Sequence, residues 1–244
     1  MGPDRPNVAG GDPEAEAALY AGLSSRLLLL PGMAPTGMST RTAFFDSETV
    51  RALEHRIRQV VVLGAGYDGR ALRYGSQARW IEIDRPTTQE DKRRRVASVG
   101  AASDHITFVP VDLLVDDLDD ALEAADHRSD SPSLFLAEGL FAYLPVEVSR
   151  SVCSALRGRA APGSVFVSNY RVVPRRGARG RGLRVVVDAL LVAIGERRQA
   201  DFHEGEPEAL LVSVGWRPVR LDSSRPNRID QGSYLLVVAA ERVD

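Results

Sequence analysis

Cysteine is almost missing from this chain. Cys153 is the only one in 244 residues, so no disulfide can close within it and no cysteine-built metal site can be assembled. Flanked by Val152 and Ser154-Ala155-Leu156, it reads as a small hydrophobe on a helix. Histidine is scarce too, with four copies. His55 and His127 sit in charged helical surroundings that read as solvated, and His105 opens a strand. Only His203 falls where a pocket is expected. Charge of one sign is also lacking: 31 basic against 33 acidic residues leave a net charge of -2, with no overall field to draw in DNA, RNA or an anionic membrane. The most apolar late stretch, Val185 to Ile194, is broken by Asp188 and falls far short of the ~20 residues a membrane span needs. The first fifteen residues, rich in Gly, Pro and Asp, lack the basic start and apolar run of a signal peptide. A cytoplasmic protein without a metal, membrane or DNA partner is therefore expected.

What is present is globular material, 44% hydrophobic and 26% charged, of a size that one domain with one large core can fill. Residues 1–12 read as a disordered tail and 13–30 as a helix stopped by Pro31 and Gly32. A turn-rich stretch, 31–39, leads to a second helix capped by Asp46 and running to about Arg58. From Gln59 onward short apolar runs alternate with helical segments. Strands are expected at 59–63, 79–83, 105–111, 133–137 and 164–170, with helices at 70–74, 89–98, 116–126 and 145–157 between them. Such alternation predicts an α/β fold, a parallel sheet covered on both faces. After a basic loop, 171–182, come an apolar helix, a helix at 206–214 and two terminal strands, 216–221 and 234–240. Those two strands, with no helix between them, should pair antiparallel.

The residues that stand out sit where the strands end, which is where ligands bind in an open parallel sheet. Gly64 and Gly66 let the backbone turn tightly and approach a ligand. Asp84 lies twenty residues after Gly64, the spacing at which a carboxylate on the second strand's tip holds both hydroxyls of a ribose. Asp112 and Glu138, at the third and fourth tips, offer acceptors for an adenine amino group or a cationic ligand. Taken literally, Gly64-x-Gly66-x-x-Gly69 with an acid at plus twenty is also the dinucleotide fingerprint, which makes an NAD-dependent oxidoreductase a rival. Glycines that merely serve a turn, and acids that cap the next helix, are the plain alternative.

Four segments together resemble one family: Arg41-Thr42, Val61-Val62-Leu63-Gly64-Ala65-Gly66-Tyr67-Asp68, Ile81-Glu82-Ile83-Asp84-Arg85-Pro86 and Glu138-Gly139-Leu140-x-x-Tyr143-Leu144. With Val111-Asp112-Leu113, Gly195-Glu196 and Gly215-Trp216, the likeness runs over roughly residues 40 to 220. The sequence is similar to the leucine carboxyl methyltransferases, in their broad bacterial branch of S-adenosylmethionine-dependent enzymes. The resemblance implies a class I methyltransferase fold: a Rossmann-like, doubly wound sheet with a terminal antiparallel hairpin and an N-terminal helical cap. It implies one domain over 13–244, made of the cap (13–58), a cofactor-binding core (59–170) and a substrate-covering segment (171–215). It also implies S-adenosyl-L-methionine as cofactor. Arg41 would hold the methionine carboxylate, Gly64, Ala65 and Gly66 would lie along the methionine, and Asp84 beside Arg85 would bind the ribose. Asp112 and Leu113 would meet the adenine, while Glu138 and Gly139 would sit near the amino or sulfonium end. The family's usual Thr between the Asp and Arg of its glycine loop is replaced here by Gly69, and its other basic cofactor contact has no clear match beyond Arg26.

The acceptor is less legible. A carboxylate needs no base, whereas a phenol, alcohol, amine or aromatic carbon must lose a proton. The candidate catalytic residues are Tyr143, His203 and Glu196, with Tyr20 and Tyr170 behind them, and none stands out as a general base. This points to methylation of an oxygen, carboxylate or hydroxyl, on a small molecule or peptide. Carbon or nitrogen methylation in secondary metabolism, or cofactor binding without catalysis, stay open. Arg171, Arg175, Arg176, Arg179, Arg181 and Arg184 form a cluster that could grip a phosphate, a carboxylate or RNA. Without interleaved aromatics it reads as a solvated loop.

Overall fold

The computed structural model describes residues 11–20, 35–173, 199–223 and 233–243. Their centre is a seven-stranded sheet, made of β1 (Gln59–Leu63), β2 (Arg79–Asp84), β3 (Ile106–Pro110), β4 (Leu134–Ala137), β5 (Val165–Val172), β6 (Trp216–Ser223) and β7 (Tyr234–Arg242). The order across the sheet is β3-β2-β1-β4-β5-β7-β6. The first five strands are parallel; β7 runs antiparallel to both β5 and β6. The expected terminal hairpin is thus present, and its reversed last strand separates this sheet from the all-parallel 3-2-1-4-5-6 order of dinucleotide-binding domains.

β1 is buried along its whole length, as a Val-rich strand covered on both faces should be. Alternate residues feed two cores. Val61, Phe135, Phe166 and Trp216 face one, while Val60, Leu134, Val167 and Val237 face the other. In the first core, Trp216 meets Phe135 edge-on at 6.1 Å and donates its indole N–H to the Cys153 carbonyl at 2.9 Å. Cys153 is the buried helix hydrophobe expected of it, and burial pushes its thiol up to about 12. Each large side chain fully buried in these layers contributes about 1.5–3 kcal/mol.

The helices return the chain between strands: α3 (Arg70–Tyr74), α4 (Pro86–Ser98), α5 (Leu118–Ala124) and α6 (Val146–Arg159), with α7 (Glu206–Ser213) before β6. α4 starts three residues earlier than expected because Pro86 takes its first turn, where a missing N–H costs nothing. Asp117 caps α5 by accepting from the backbone of Asp119 and Asp120. Pro218 is tolerated in β6 because that strand is at the sheet edge and bulges between Pro218 and Arg220.

The N-terminal region departs most from expectation. Helix α1 spans Pro13–Tyr20, and α2 runs over Pro35–Glu54. Part of the stretch read as turns is therefore helical, and Arg41-Thr42 lie inside α2. Asp46 is no cap: it sits mid-helix, fully buried, because a guanidinium from α3 pairs with it there. Tertiary pairing overrides the local preference of Asp for helix starts. His127 is likewise buried rather than solvated. Its Nε2 lies 3.0 Å from the Ser133 hydroxyl, and burial, helped by Arg159 and Arg79, lowers it to about 4. Arg171 belongs to β5 and pairs with Asp201 rather than to a solvated loop. The rest of the arginine cluster, Glu196 and Arg26 lie outside the described residues. Among those residues no helix is long and apolar enough to cross a membrane.

Candidate functional site

The chain leaves β1 towards β2 on one side, while β4 lies on the other. The two connections therefore diverge at the carboxyl ends of β1 and β4 and open a crevice, as at any such reversal of strand order. A cleft of about 340 Å³ lies there. Its floor is Gly64, Ala65 and Gly66, its far wall Arg41, Thr42 and Glu138, and Tyr20, Val62, Tyr67, Asp68 and Arg70 complete it.

The floor needs its glycines. Gly64 has φ +60°, and a Cβ on it would come within 3.0 Å of Leu140 Cδ1. The turn closes through Asp68 N–H to Ala65 O at 2.7 Å. The loop is tied to the next strand by Asp84, whose two oxygens accept from Gly66 N and Arg85 N, each at 2.7 Å. From below, Lys92 Nζ donates to Asp68 O at 2.7 Å and sits 2.6 Å from Glu82 Oε2. Lys92 and Glu82 are both buried. Burial drives the Glu82 carboxyl up, against the opposing pull of Lys92. At the rim, Tyr67 donates to Asp91 at 2.6 Å under the guanidinium of Arg95.

The wall is a network of buried charge. Glu138, at the tip of β4, accepts from Arg41 Nε at 2.7 Å and Thr42 Oγ1 at 3.2 Å, and pairs with Arg70 at 2.6 Å. Arg70 also pairs with Asp46 at 2.8 Å and Asp68 at 2.5 Å, its guanidinium 5.4 Å from the Phe45 ring centre. Burial by itself would neutralise Glu138, but Arg70 and Arg41 outweigh it and hold the carboxyl at about 2. Burial likewise opposes charge on Arg70; the three carboxylates overcome it and raise the group well above its usual value. Arg41 keeps its terminal nitrogens without a described protein acceptor, and Nη1 stands beside Gly139, 3.8 Å from where a Cβ would be.

Of the residues singled out in the sequence, Tyr20, Arg41, Gly64, Ala65, Gly66 and Glu138 are brought together in the cleft, with Asp84 one hydrogen bond behind its floor. Gly139 adjoins Arg41, its N–H held by Asn169 at 2.6 Å. Arg85 is exposed. Asp112 and Leu113 stand beyond the cleft lining at the tip of β3, where Asp112 accepts from Leu114 N and its own N–H donates to Asp116. Tyr143 and His203 also lie outside the lining. The imidazole of His203 meets Val173 O at 3.0 Å, and Tyr143 O accepts from Gln199. Tyr170 is in the core, stacked on Phe141. Arg70, Lys92 and Glu82 were given no role in the sequence reading, and Asp46 only that of a helix cap. Only Arg70 had a signal, its place beside the anomalous Gly69.

A second cavity, about 390 Å³, opens at the opposite end, around the amino ends of β1 and β5. There Arg220 holds Glu48 through two bonds of 2.7 Å, and Arg217 reaches Glu241 at 3.2 Å.

Among known proteins, the family model described as leucine carboxyl methyltransferase matches residues 19–157. A protein of Mycobacterium avium, provisionally named an S-adenosyl-L-methionine-dependent methyltransferase, is 34% identical over 196 residues, covering 74% of this chain and 61% of that protein. A namesake from Mycolicibacterium vanbaalenii is 39% identical over 140 residues, 55% of this chain and 45% of its own length. The chain thus spans about half the length of the curated relatives it matches. Of solved structures, magnesium protoporphyrin IX methyltransferase from Synechocystis, with bound SAH, superposes with TM-score 0.58 at 14% identity, covering 94% of this chain and 93% of that one. Mitomycin 7-O-methyltransferase gives TM-score 0.52 at 18% identity over 84% and 58% of the two chains. These two likenesses show the fold, the Rossmann-like class I methyltransferase sheet. With the family model matching more than half of the chain, and with the glycine floor, Asp84, Arg41 and Glu138 set around one cleft, this chain belongs to the leucine carboxyl methyltransferase family.

Proposed function

We propose that this chain binds S-adenosyl-L-methionine in the cleft over β1 and β4 and transfers its methyl group to an oxygen, carboxylate or hydroxyl, of a small molecule or peptide. The single observation that carries the reading is the Arg41–Glu138 pair above a glycine floor, an adjacent cation and anion that suit the two charged ends of an α-amino acid. Arg41 offers the acid group forked donors, and Glu138, held ionised, faces the ammonium end. Asp84, fixed by two backbone N–H groups, is left to accept from ribose hydroxyls, with Asp112 and Leu113 further along the strand tips for the adenine. Bound there, the cofactor would supply a methyl on a sulfonium to an acceptor oxygen, the electrons of the broken C–S bond staying on sulfur and the proton of a hydroxyl acceptor passing to solvent. The protein's share is alignment of the two reactants. A carboxylate oxygen as acceptor is supported by the described lining, which holds no histidine and whose phenols are Tyr67, its hydroxyl committed to Asp91, and Tyr20. An acceptor that is already ionised needs no base.

Calorimetric titration with S-adenosylhomocysteine, NAD and NADP tests the reading. Binding of the first alone is expected, followed by transfer of radiolabelled methyl to an oxygen of an acceptor in extract fractions. Binding of a nicotinamide nucleotide in its place overturns it, and tight binding with no transfer to any fraction makes the chain a non-catalytic binder.

A further inference from the structure

We propose that the cavity at the amino ends of the strands is a second binding site, which takes a small molecule by its phosphate or diphosphate group. The proposal stands apart from the function assigned to the cleft, because the two sites share no lining residue. At about 390 Å³ the cavity has the size of a small-molecule site. Four guanidiniums reach it from three elements: Arg51 from α2, Arg217 and Arg220 from β6, and Arg242 from β7. Ala52, Ile57 and Val165 line it between them, the first two buried. Apolar groups on one side keep water away, so a charge pair formed there is stronger than on an open surface.

The two carboxylates of the lining are already engaged. Glu48 has 7% of its side chain exposed and accepts both bonds of the Arg220 fork. Glu241 lies 3.2 Å from Arg217 and 3.8 Å from the remaining terminal nitrogen of Arg220. Cationic donors are left over on each of the three elements. The Arg51 side chain has no acceptor or ion-pair partner among the described residues. Arg217 commits one nitrogen, Nη2, to Glu241. Arg242 gives Nη1 to the Ala160 carbonyl and pairs with no carboxylate among the described residues. The end of α2 would by itself repel an anion. The Arg51 carbonyl there is taken up by His55, through its N–H at 3.0 Å and its ring Nδ1 at 2.7 Å. A phosphate offers oxygens in several directions to donors that arrive from three elements, whereas a carboxylate presents two in one plane.

The test is calorimetric titration of the full chain with inorganic pyrophosphate at constant ionic strength, with citrate as the carboxylate probe. Wild type should bind pyrophosphate, and more tightly than citrate. Arg51→Gln breaks no described contact of that side chain, so its melting temperature should match wild type. It should nonetheless bind pyrophosphate about ten-fold more weakly, as expected when hydrogen bonds to a charged group are removed. Arg217→Gln, at a more exposed position, should weaken binding about three-fold. Wild type that binds no pyrophosphate sinks the proposal, as does binding that both variants leave unchanged, which would put the anion elsewhere on the chain. Citrate bound as tightly as pyrophosphate, and weakened as much by Arg51→Gln, overturns the assignment to phosphate. Should Arg51→Gln fail to fold by circular dichroism, Arg217→Gln decides by the same comparison.

Discussion

The two ends of the sheet carry the same kinds of side chain and use them differently. At the carboxyl ends, Arg70 has 3% of its side chain exposed and holds three carboxylates. At the amino ends, Arg220 and Arg217 are 26% and 65% exposed and pair mainly with one carboxylate each. The balance of partners differs too. In the wall one guanidinium, Arg70, meets three carboxylates, whereas the opposite cavity sets Arg51, Arg217, Arg220 and Arg242 against Glu48 and Glu241, four against two. The comparison teaches that burial, more than the number of pairs, decides what a charge cluster does. Ions shut away from water must be matched closely, while wetted pairs contribute little.

The largest effect expected from breaking this contrast is on stability. Arg70→Met takes one guanidinium away from Asp46, Asp68 and Glu138 together and should cost about 3–5 kcal/mol in urea unfolding, the usual result of removing one member of a buried ion cluster. Arg220→Ala, which leaves Glu48 without its two bonds, should cost about 1–3 kcal/mol. Arg217→Ala, at the exposed extreme, should stay within about 0.5 kcal/mol. Equal losses at the three positions would erase the distinction between the two ends.

Binding sharpens the comparison next. Asp84→Ala should weaken S-adenosylhomocysteine binding by about 1–3 kcal/mol, the worth of hydrogen bonds to a charged group, and unchanged affinity would remove Asp84 from the site. Arg41→Ala should reduce binding while the melting curve keeps its shape; an unfolded variant would make Arg41 structural.

The pH dependence separates buried from wetted charge in another way. The Glu138 carboxyl, near 2 in the folded protein, titrates near 4.3 when unfolded. Its contribution to stability is complete above that unfolded value and lost as pH falls towards 2. Glu138→Gln should therefore flatten the stability curve between about pH 5 and 2. His127, lowered to about 4, is likewise favoured neutral in the fold. It contributes fully above about 6.5, and His127→Gln should flatten the decline between about pH 6.5 and 4. An unaltered slope in either variant would mean that its charge is not coupled to folding.

Much of the fold was legible because its signals are local. Five short apolar runs separated by helical segments specify a parallel sheet, and each expected strand lies within two residues of its observed bounds. The terminal hairpin followed from two strands without a helix between them. The glycine floor and Asp84 were legible for the same reason, as a tight turn followed by an acid at a readable distance. Helix α2 was misplaced because Asp46 looks like a cap to its neighbours in sequence. Lys92 stands among other charged residues in Gln89-Glu90-Asp91-Lys92-Arg93-Arg94-Arg95, and nothing local marks it as the side chain that enters the core.

The sequence by itself determined the alternation of elements, the strand tips on which chemistry-bearing residues stand and the family they resemble, because apolar periodicity and glycine turns act over a few residues. Only the tertiary structure decided the partners: Arg41 with Glu138 across 97 positions, Arg220 with Glu48 across 172, and Asp46 behind Arg70. An ion pair between distant positions has no local signature. It forms where the packed sheet and its covering helices hold two opposite charges away from water, and that arrangement exists only once the chain has folded.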